Sequence, residues 1–235
     1  MDEKNIYNAD TIEEIFMPFL HELTSLRMTL DRKVIAYLVG APGSGKSTLA
    51  NFLEQLSRER KSEVDTIRAL PMDGYHFSAA YMDITTVERD GEQILMRDIK
   101  GAPETFDVDL LVDKIREVRQ EGTNWNIYDR KIHDVLPDYL SVEDEIILIE
   151  GNYLLLKDTG WTTIRTLTDY SVFLDVPREI LRPRLINRKI QGGSSPEAAE
   201  KFFEFSDARN IERVINNSAK ADATWKFLDG EFIKA

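Results

Sequence analysis

The sequence predicts an α/β protein, a three-layer αβα sandwich around a mostly parallel sheet, with a helical extension before it and an arginine-bearing lid helix within it. Three observations carry that prediction. Short apolar, β-rich runs alternate with segments of helical periodicity, the pattern of a parallel sheet covered on both faces. One run, Ile146 to Ile149, is wholly apolar, as a strand buried on both sides must be. Another, Val34 to Val39, feeds a glycine-rich loop and then a helix.

Residues 10–31 read as helix, with Thr11 and Glu14 placed for a capping box and Ile12, Ile15, Phe16, Phe19, Leu20, Leu23 and Leu26 on one face. Pro18 falls inside the pattern, so a kink or a division into two helices is expected. After the strand from Val34, the stretch Gly40-Ala41-Pro42-Gly43-Ser44-Gly45-Lys46-Ser47 fits G-x-x-x-x-G-K-[ST] in full. Leu49, Phe52, Leu53 and Leu56 then continue at helix spacing. Glycines let successive backbone N–H groups turn inward on an anion, and the positive end of the following helix adds to the field. Lys46 would set a cation on the β- and γ-phosphates and Ser47 an oxygen on Mg²⁺, with Thr48 closing the cradle. This is the phosphate loop of a P-loop NTPase.

Thr66 to Met72 reads as a second strand delivering Asp73-Gly74-Tyr75-His76 to its carboxyl end. Residues 78–106 lack a clean period and suit an excursion over the site. Asp107 to Gln120 is expected to be helix, and Trp125 to Tyr128 a short strand ending in Asp129-Arg130. The run from Ile146 ends in Glu150-Gly151-Asn152. Ser171 to Asp175 is a further strand, Arg178 to Gln191 a basic helix, Ser195-Pro196 the start of a helix to about Asn217, and Thr224 to Leu228 the last strand.

Ligands in open α/β sheets lie beyond the carboxyl ends of the strands. Asp73, Tyr128 and Glu150 are placed at those ends, beside the phosphate loop. Phosphoryl transfer to an alcohol needs a metal held against the phosphates, a group that orients and deprotonates the hydroxyl, and cations for the transferring charge. Glu150 suits the metal and Asp73 the substrate proton, although the two roles could be exchanged. Arg184 and Arg188 share one face of the basic helix, four residues apart, and with Gly192-Gly193 behind them suggest a lid of about residues 178–195 that closes over the triphosphate.

Composition narrows the partners. A formal net charge of −12 over 235 residues argues against nucleic acid, whose phosphates need a basic footprint. Cysteine is absent, which excludes disulfides and thiolate metal sites. No apolar stretch approaches a membrane span and MDEKNIYNAD lacks signal-peptide character, so no membrane partner and a cytoplasmic location are expected.

Taken in order, the phosphate loop, Met72-Asp73-Gly74-Tyr75-His76, Ile127-Tyr128-Asp129-Arg130 with His133, Ile149-Glu150-Gly151-Asn152-Tyr153 and the Arg184/Arg188 helix resemble the phosphoribulokinase/uridine kinase family, a group that includes type I pantothenate kinase. Lys100-Gly101-Ala102-Pro103-Glu104-Thr105-Phe106-Asp107 looks closest to a nucleoside/nucleotide kinase-like, fructose-transport-associated subgroup. The resemblance spans about residues 34–228. It implies a P-loop kinase fold, and with the N-terminal helix the chain divides into a helical extension over residues 1–32 and a P-loop kinase domain over residues 33–235. It also implies Asp73 as base, Glu150 on Mg²⁺, Arg184 and Arg188 on the lid, and Tyr128 and His133 in the acceptor pocket, with Arg130 beside them. Tyr75 and His76 are further candidates for that pocket, or for packing at the sheet edge.

The implied activity uses ATP and Mg²⁺ to phosphorylate a hydroxyl of a small metabolite, a sugar or polyol before a nucleoside such as uridine, and that before pantothenate. A homodimer is compatible, since this group often dimerises. Where uridine kinases carry an aspartate-rich loop that grips a ribose, this chain has Gly101-Ala102-Pro103-Glu104, which leaves the acceptor open. ATP and GTP are not separated, since no residue is marked as a reader of the base. A nucleotide-dependent switch or regulatory ATPase shares the phosphate loop, but no Asn-Lys-x-Asp guanine signature is present. The long C-terminal helix presents Asp207, Asn210 and Asn217, and Asn217 and Asp222 are weak candidates near the nucleotide base.

Overall fold

Seven consecutive residues, Val34–Gly40, form β1 and are all buried, so both faces of this strand are covered. A computed structural model describes residues 7–234, and residues 1–6 of the expected extension lie outside the described residues. Around β1 is built a six-stranded sheet in the order β10-β9-β8-β1-β7-β2. Its strands are β2 (Ile67–Pro71), β7 (Ile146–Gly151), β8 (Tyr170–Asp175), β9 (Ala223–Leu228) and β10 (Glu231–Lys234). Every neighbouring pair is parallel except β9 with β10. β10 is an addition to the expected sheet. Asp229 and Gly230 join it to β9 with φ of 50° and 94°, the left-handed pair that a tight hairpin turn requires.

Register places the site. Leu38 lies opposite Glu150 across β1 and β7, and Pro71 lies opposite Glu150 across β2 and β7. The carboxyl ends of β2, β7 and β1 therefore stand side by side, in the order Asp73, Glu150, phosphate loop. Strand β1 has β7 on one side and β8 on the other, the reversal of strand order at which ligands bind in such sheets.

One expectation needs correction. Trp125 to Tyr128 does not join the parallel sheet: β5 (Thr123–Asp129) pairs antiparallel with β6 (Asp134–Val142) in a separate hairpin. The hairpin is fastened to the end of β2 by Trp125 Nε1, which donates to the Pro71 carbonyl at 2.8 Å. Within the 78–106 excursion, β3 (Thr86–Arg89) and β4 (Glu92–Leu95) form another hairpin around Asp90-Gly91.

The N-terminal helix runs over residues 9–30 without a break. A wider π turn, Ile12–Phe16, precedes Pro18, so the expected irregularity takes the form of a change of helix type and not of two separate helices. Phe16, Leu20 and Leu23 are buried in the same core as the sheet, with Phe16 5.5 Å from the Trp225 ring. The phosphate-loop helix is Lys46–Glu59, the lid helix Arg178–Gln191, and the C-terminal helix runs over residues 196–217.

Candidate active site

Gly43 and Gly45 sit at φ 82° and 91°, a conformation that a Cβ disfavours, and Gly45 caps the helix that starts at Lys46. Gly40 is needed for space: a Cβ there would come within 2.9 Å of Ser44 Oγ and 3.1 Å of Leu174. Lys46 folds back over the loop. Its Nζ donates to Asn152 Oδ1 at 2.6 Å and to the Ala41 carbonyl at 3.2 Å. A cavity of about 390 Å³ opens above the loop, walled by Gly43, Lys46, Thr48, Arg130, Arg184 and Arg188. Pro42 and Gly43 also edge a second cavity, of about 660 Å³, which Lys46, Ser47, Asp73, Glu150 and Arg188 line. The two cavities have Gly43, Lys46, Ser47, Arg130, Leu185 and Arg188 in common.

Two acids meet there. Ser47 Oγ donates to Glu150 Oε1 at 2.7 Å, and Glu150 is only 7% exposed. Burial raises the Glu150 carboxyl above its ordinary range, against the lowering pull of Lys46 and the Ser47 hydrogen bond. Burial likewise lowers the Lys46 ammonium, opposed by the carboxylates of Glu150 and Asp73. Asp73 is half-buried on the turn Met72–Tyr75 and lines both the large cavity and a smaller one shared with Ser47, Tyr128, Arg130 and Glu150.

The glycine after each acid permits this closeness. A Cβ on Gly74 would lie 2.1 Å from the Asn126 carbonyl oxygen, and one on Gly151 2.7 Å from Met72. The Asp73 turn is wedged between the β5–β6 hairpin and the end of β7.

Of the expected acceptor-pocket residues, His76, Tyr128, Arg130 and His133 line the large cavity. His76 is stacked on Phe106 at 3.8 Å with Nδ1 3.1 Å from the Thr105 carbonyl, and burial lowers its pKa. Tyr75 is a correction. It is fully buried in the core, edge-on to Trp125 at 4.6 Å, because the turn that points Asp73 outward points Tyr75 under the hairpin. From the lid helix, Arg184 donates to the Gly43 carbonyl at 3.3 Å and lies 5.0 Å over the Phe227 ring. Arg188 reaches both cavities. Arg182 turns away to Glu200.

Sequence reading passed over several groups in this space. Asn152 holds Lys46, and only its place after Glu150-Gly151 hinted at it. Lys100 donates to Tyr128 Oη at 2.5 Å and lies 3.9 Å over the same ring. Lys189 edges the cavity between the lid and C-terminal helices, together with Asp207 and Asn210, which the sequence did present on the C-terminal helix. Tyr7, Phe227 and Phe232 line a further cavity of about 410 Å³ that runs on from Gly43, Gly45 and Thr48. Asn217 and Asp222 serve as structural ties: Asn217 donates to Asp158, and Asp222 accepts from the backbone and hydroxyl of Ser171 at 2.8 and 2.6 Å.

The site suits magnesium. Ser47 and Glu150 offer hard oxygen donors in contact, beside a phosphate cradle. Among the described residues there is no cluster of three acidic or histidine ligands that would form a closed cage. Mg²⁺ takes few protein ligands and completes its shell with phosphates and water.

A parallel sheet carrying a phosphate loop at its switch point, with two acids on the adjoining strand ends, defines a P-loop kinase. The chain belongs to the phosphoribulokinase/uridine kinase family, whose profile matches residues 34–224. An uncharacterized Escherichia coli protein, YggC, is 39% identical over 217 residues, covering 92% of this chain and 87% of that one. A Schizosaccharomyces pombe protein designated a candidate uridine kinase is 32% identical over 211 residues, 86% of this chain and 87% of its own. Among solved structures, a candidate fructose transport system kinase from a Silicibacter species superposes with a TM-score of 0.72 at 29% identity, over 86% of this chain and 98% of that one. The chain is a small-molecule kinase, a phosphotransferase with ATP as donor and an alcohol group as acceptor. No helix among the described residues is long and apolar enough to cross a membrane.

Proposed function

We propose that this kinase transfers the γ-phosphoryl group of ATP to a hydroxyl of a sugar or sugar-like polyol, with nucleosides and then pantothenate next in preference. The observation that carries this reading is the shared cavity in which Asp73 stands beside Glu150, Lys46 and Arg188. The loop amides and Lys46 hold the β- and γ-phosphates, and the aromatic cavity of Tyr7, Phe227 and Phe232 takes the base. Ser47 and Glu150 would hold Mg²⁺, which when bound neutralises charge on the phosphates. Burial and the Ser47 hydrogen bond support Glu150 as the metal's residue and Asp73 as the acceptor's.

In the transfer, Asp73 accepts the proton of the acceptor hydroxyl. The hydroxyl oxygen forms a new bond to the γ-phosphorus, and the bond from that phosphorus to the bridging oxygen breaks, so that ADP leaves with the bridging oxygen. Arg184 and Arg188 neutralise the transferring group, and the lid excludes water that would otherwise hydrolyse ATP.

The test measures ADP release with and without a panel of sugars, nucleosides and pantothenate. One acceptor is expected to stimulate turnover, and Asp73→Asn to lower that turnover by about 10²- to 10⁴-fold while nucleotide still binds. Acceptor-independent turnover that survives the substitution would overturn the transferase reading in favour of a switch.

A further inference from the structure

The acceptor side of the cavity carries more positive charge than a neutral polyol would use. In a chain of net charge −12, this one cavity collects Lys46, Arg97, Lys100, Arg130, Arg188 and Lys189. Facing them are the carboxylates of Asp73, Glu150 and Asp207. Arg97 is paired with Asp83. Among the described residues, the other five have no carboxylate within salt-bridge distance.

The triphosphate accounts for three of them, since Lys46, Arg130 and Arg188 also wall the donor cavity. Lys100 and Lys189 line the acceptor side alone. Lys189 rests on the Phe202 ring at 3.0 Å and has Asp207 nearby.

Lys100 likewise lies over a ring, that of Tyr128 at 3.9 Å, but it is held there by a hydrogen bond and faces the cavity beside Asp73. It is half-buried, its Nζ is fixed on Tyr128 Oη at 2.5 Å, and a longer contact reaches the His133 carbonyl at 3.4 Å. The adjoining loop is itself pinned, with Tyr153 Oη donating to the Gly101 carbonyl at 2.6 Å and Gly101 N donating to Thr105 Oγ1 at 3.2 Å. The carboxylates whose field it feels are Asp134 and Asp73. Asp134 Oδ1 is already taken by the backbone N–H groups of Ala79 and Val135, at 3.1 and 2.8 Å. Arg97 adds a like charge, and burial holds the Lys100 ammonium below its ordinary range. A half-buried cation with no carboxylate in direct contact is incompletely compensated, and such groups gather where a ligand supplies the remaining charge.

We infer that the phosphate acceptor is an anion, a small hydroxylated molecule whose carboxylate or phosphate monoester pairs with Lys100 while its hydroxyl meets Asp73. This rests on the kinase reading of the same site and narrows it, from a polyol or sugar to the acid or phosphate of one. Tyr128 orients the ammonium from below, and the pinned Gly101 loop fixes the distance between the anionic end and the reacting hydroxyl.

The test uses the full chain and matched acceptors: glycerol with glycerate and glycerol 3-phosphate, fructose with gluconate and fructose 6-phosphate, uridine with uridine 5′-monophosphate. ADP release is read with ATP, and binding is read separately by calorimetry with a non-hydrolysable ATP analogue present. The anionic member of at least one set is expected to be preferred in kcat/KM by about tenfold or more, the order of one hydrogen bond to a charged group. The carboxylate and phosphate members show which anion is taken. Lys100→Gln is expected to raise the KM of that acceptor by roughly 10- to 100-fold, with Lys100→Arg recovering part of the loss.

A neutral member phosphorylated as well as its anionic partners would overturn the inference and leave the kinase reading intact. So would a KM unmoved by Lys100→Gln, or failure of every anionic member to bind. Anion binding that depends on Lys100 without any ADP release would support the inference and overturn the transfer step. The comparison of neutral and anionic acceptors needs only the native chain, so it stands even if the variants fold poorly.

Discussion

Lys46 and Glu150 are each pushed by burial toward their neutral forms, yet each keeps the other's charge nearby. Bound phosphates and a metal would match their charges, the arrangement expected of a site whose strongest charges belong to its ligands. His76 offers a cleaner titration. It is 8% exposed, and burial lowers its pKa, against the field of Asp73 and the bond to Thr105 and with that of Lys100. A lowered pKa means that the unfolded chain takes the proton more readily than the folded one. The stabilisation is present above the unfolded value of about 6.5 and is lost as pH falls through the folded value. The urea midpoint of the native chain is therefore expected to drop below pH 6.5, and more steeply than that of His76→Gln. Equal slopes would remove His76 as the cause.

Residues of this kind differ in how far a sequence announces them. Lys46 and Ser47 are legible because their meaning lies in local backbone chemistry. Lys100 is not, because a lysine before a glycine reads as a solvated loop until Tyr128, from a separate hairpin, is brought beneath it.

Among elements, the close approach of the Asp73 turn to the β5–β6 hairpin decides most. Gly74 has no room for a methyl group against the Asn126 backbone. Gly74→Ala should therefore destabilise the fold by about 2 kcal/mol or more, read from the urea midpoint, because backbone must move to relieve the overlap. Gly91→Ala, at a φ of 82° but with nothing within 4 Å, should lose only about 1 kcal/mol through its left-handed conformation. A loss at Gly74 no larger than that at Gly91 would show that the hairpin backbone gives way at little cost. That Asp-Gly and Glu-Gly end β2 and β7 was visible from the start, and so was the strand character of Trp125 to Tyr128. Which sheet that strand joins was not visible, since its alternation is the same in a hairpin as in the main sheet. The turns at Asp90-Gly91 and Asp229-Gly230 did carry a hairpin signal.

At the scale of the molecule, strand and helix alternation was enough to give the parallel sheet and the face on which the site lies. The N-terminal helix was legible as a cover, and its depth in the core rests on Phe16 and Phe19 meeting Trp225 from the far end of the chain. Distribution of charge was legible only at the basic lid helix, because a net value of −12 averages over a surface that is acidic and a cleft that is not. That contrast has a kinetic consequence. Field lines from Lys46, Arg130, Arg184 and Arg188 emerge through the mouth of the cleft, while the acidic exterior turns polyanions away elsewhere, so encounters with ATP are guided to one opening. The association rate of a fluorescent ATP analogue, followed by stopped flow, should fall about tenfold or more as ionic strength rises from low to near-molar salt, where the screening length shrinks to about 3 Å. A rate indifferent to salt would mean that the cleft acts only after contact, and that nothing draws the nucleotide in from a distance.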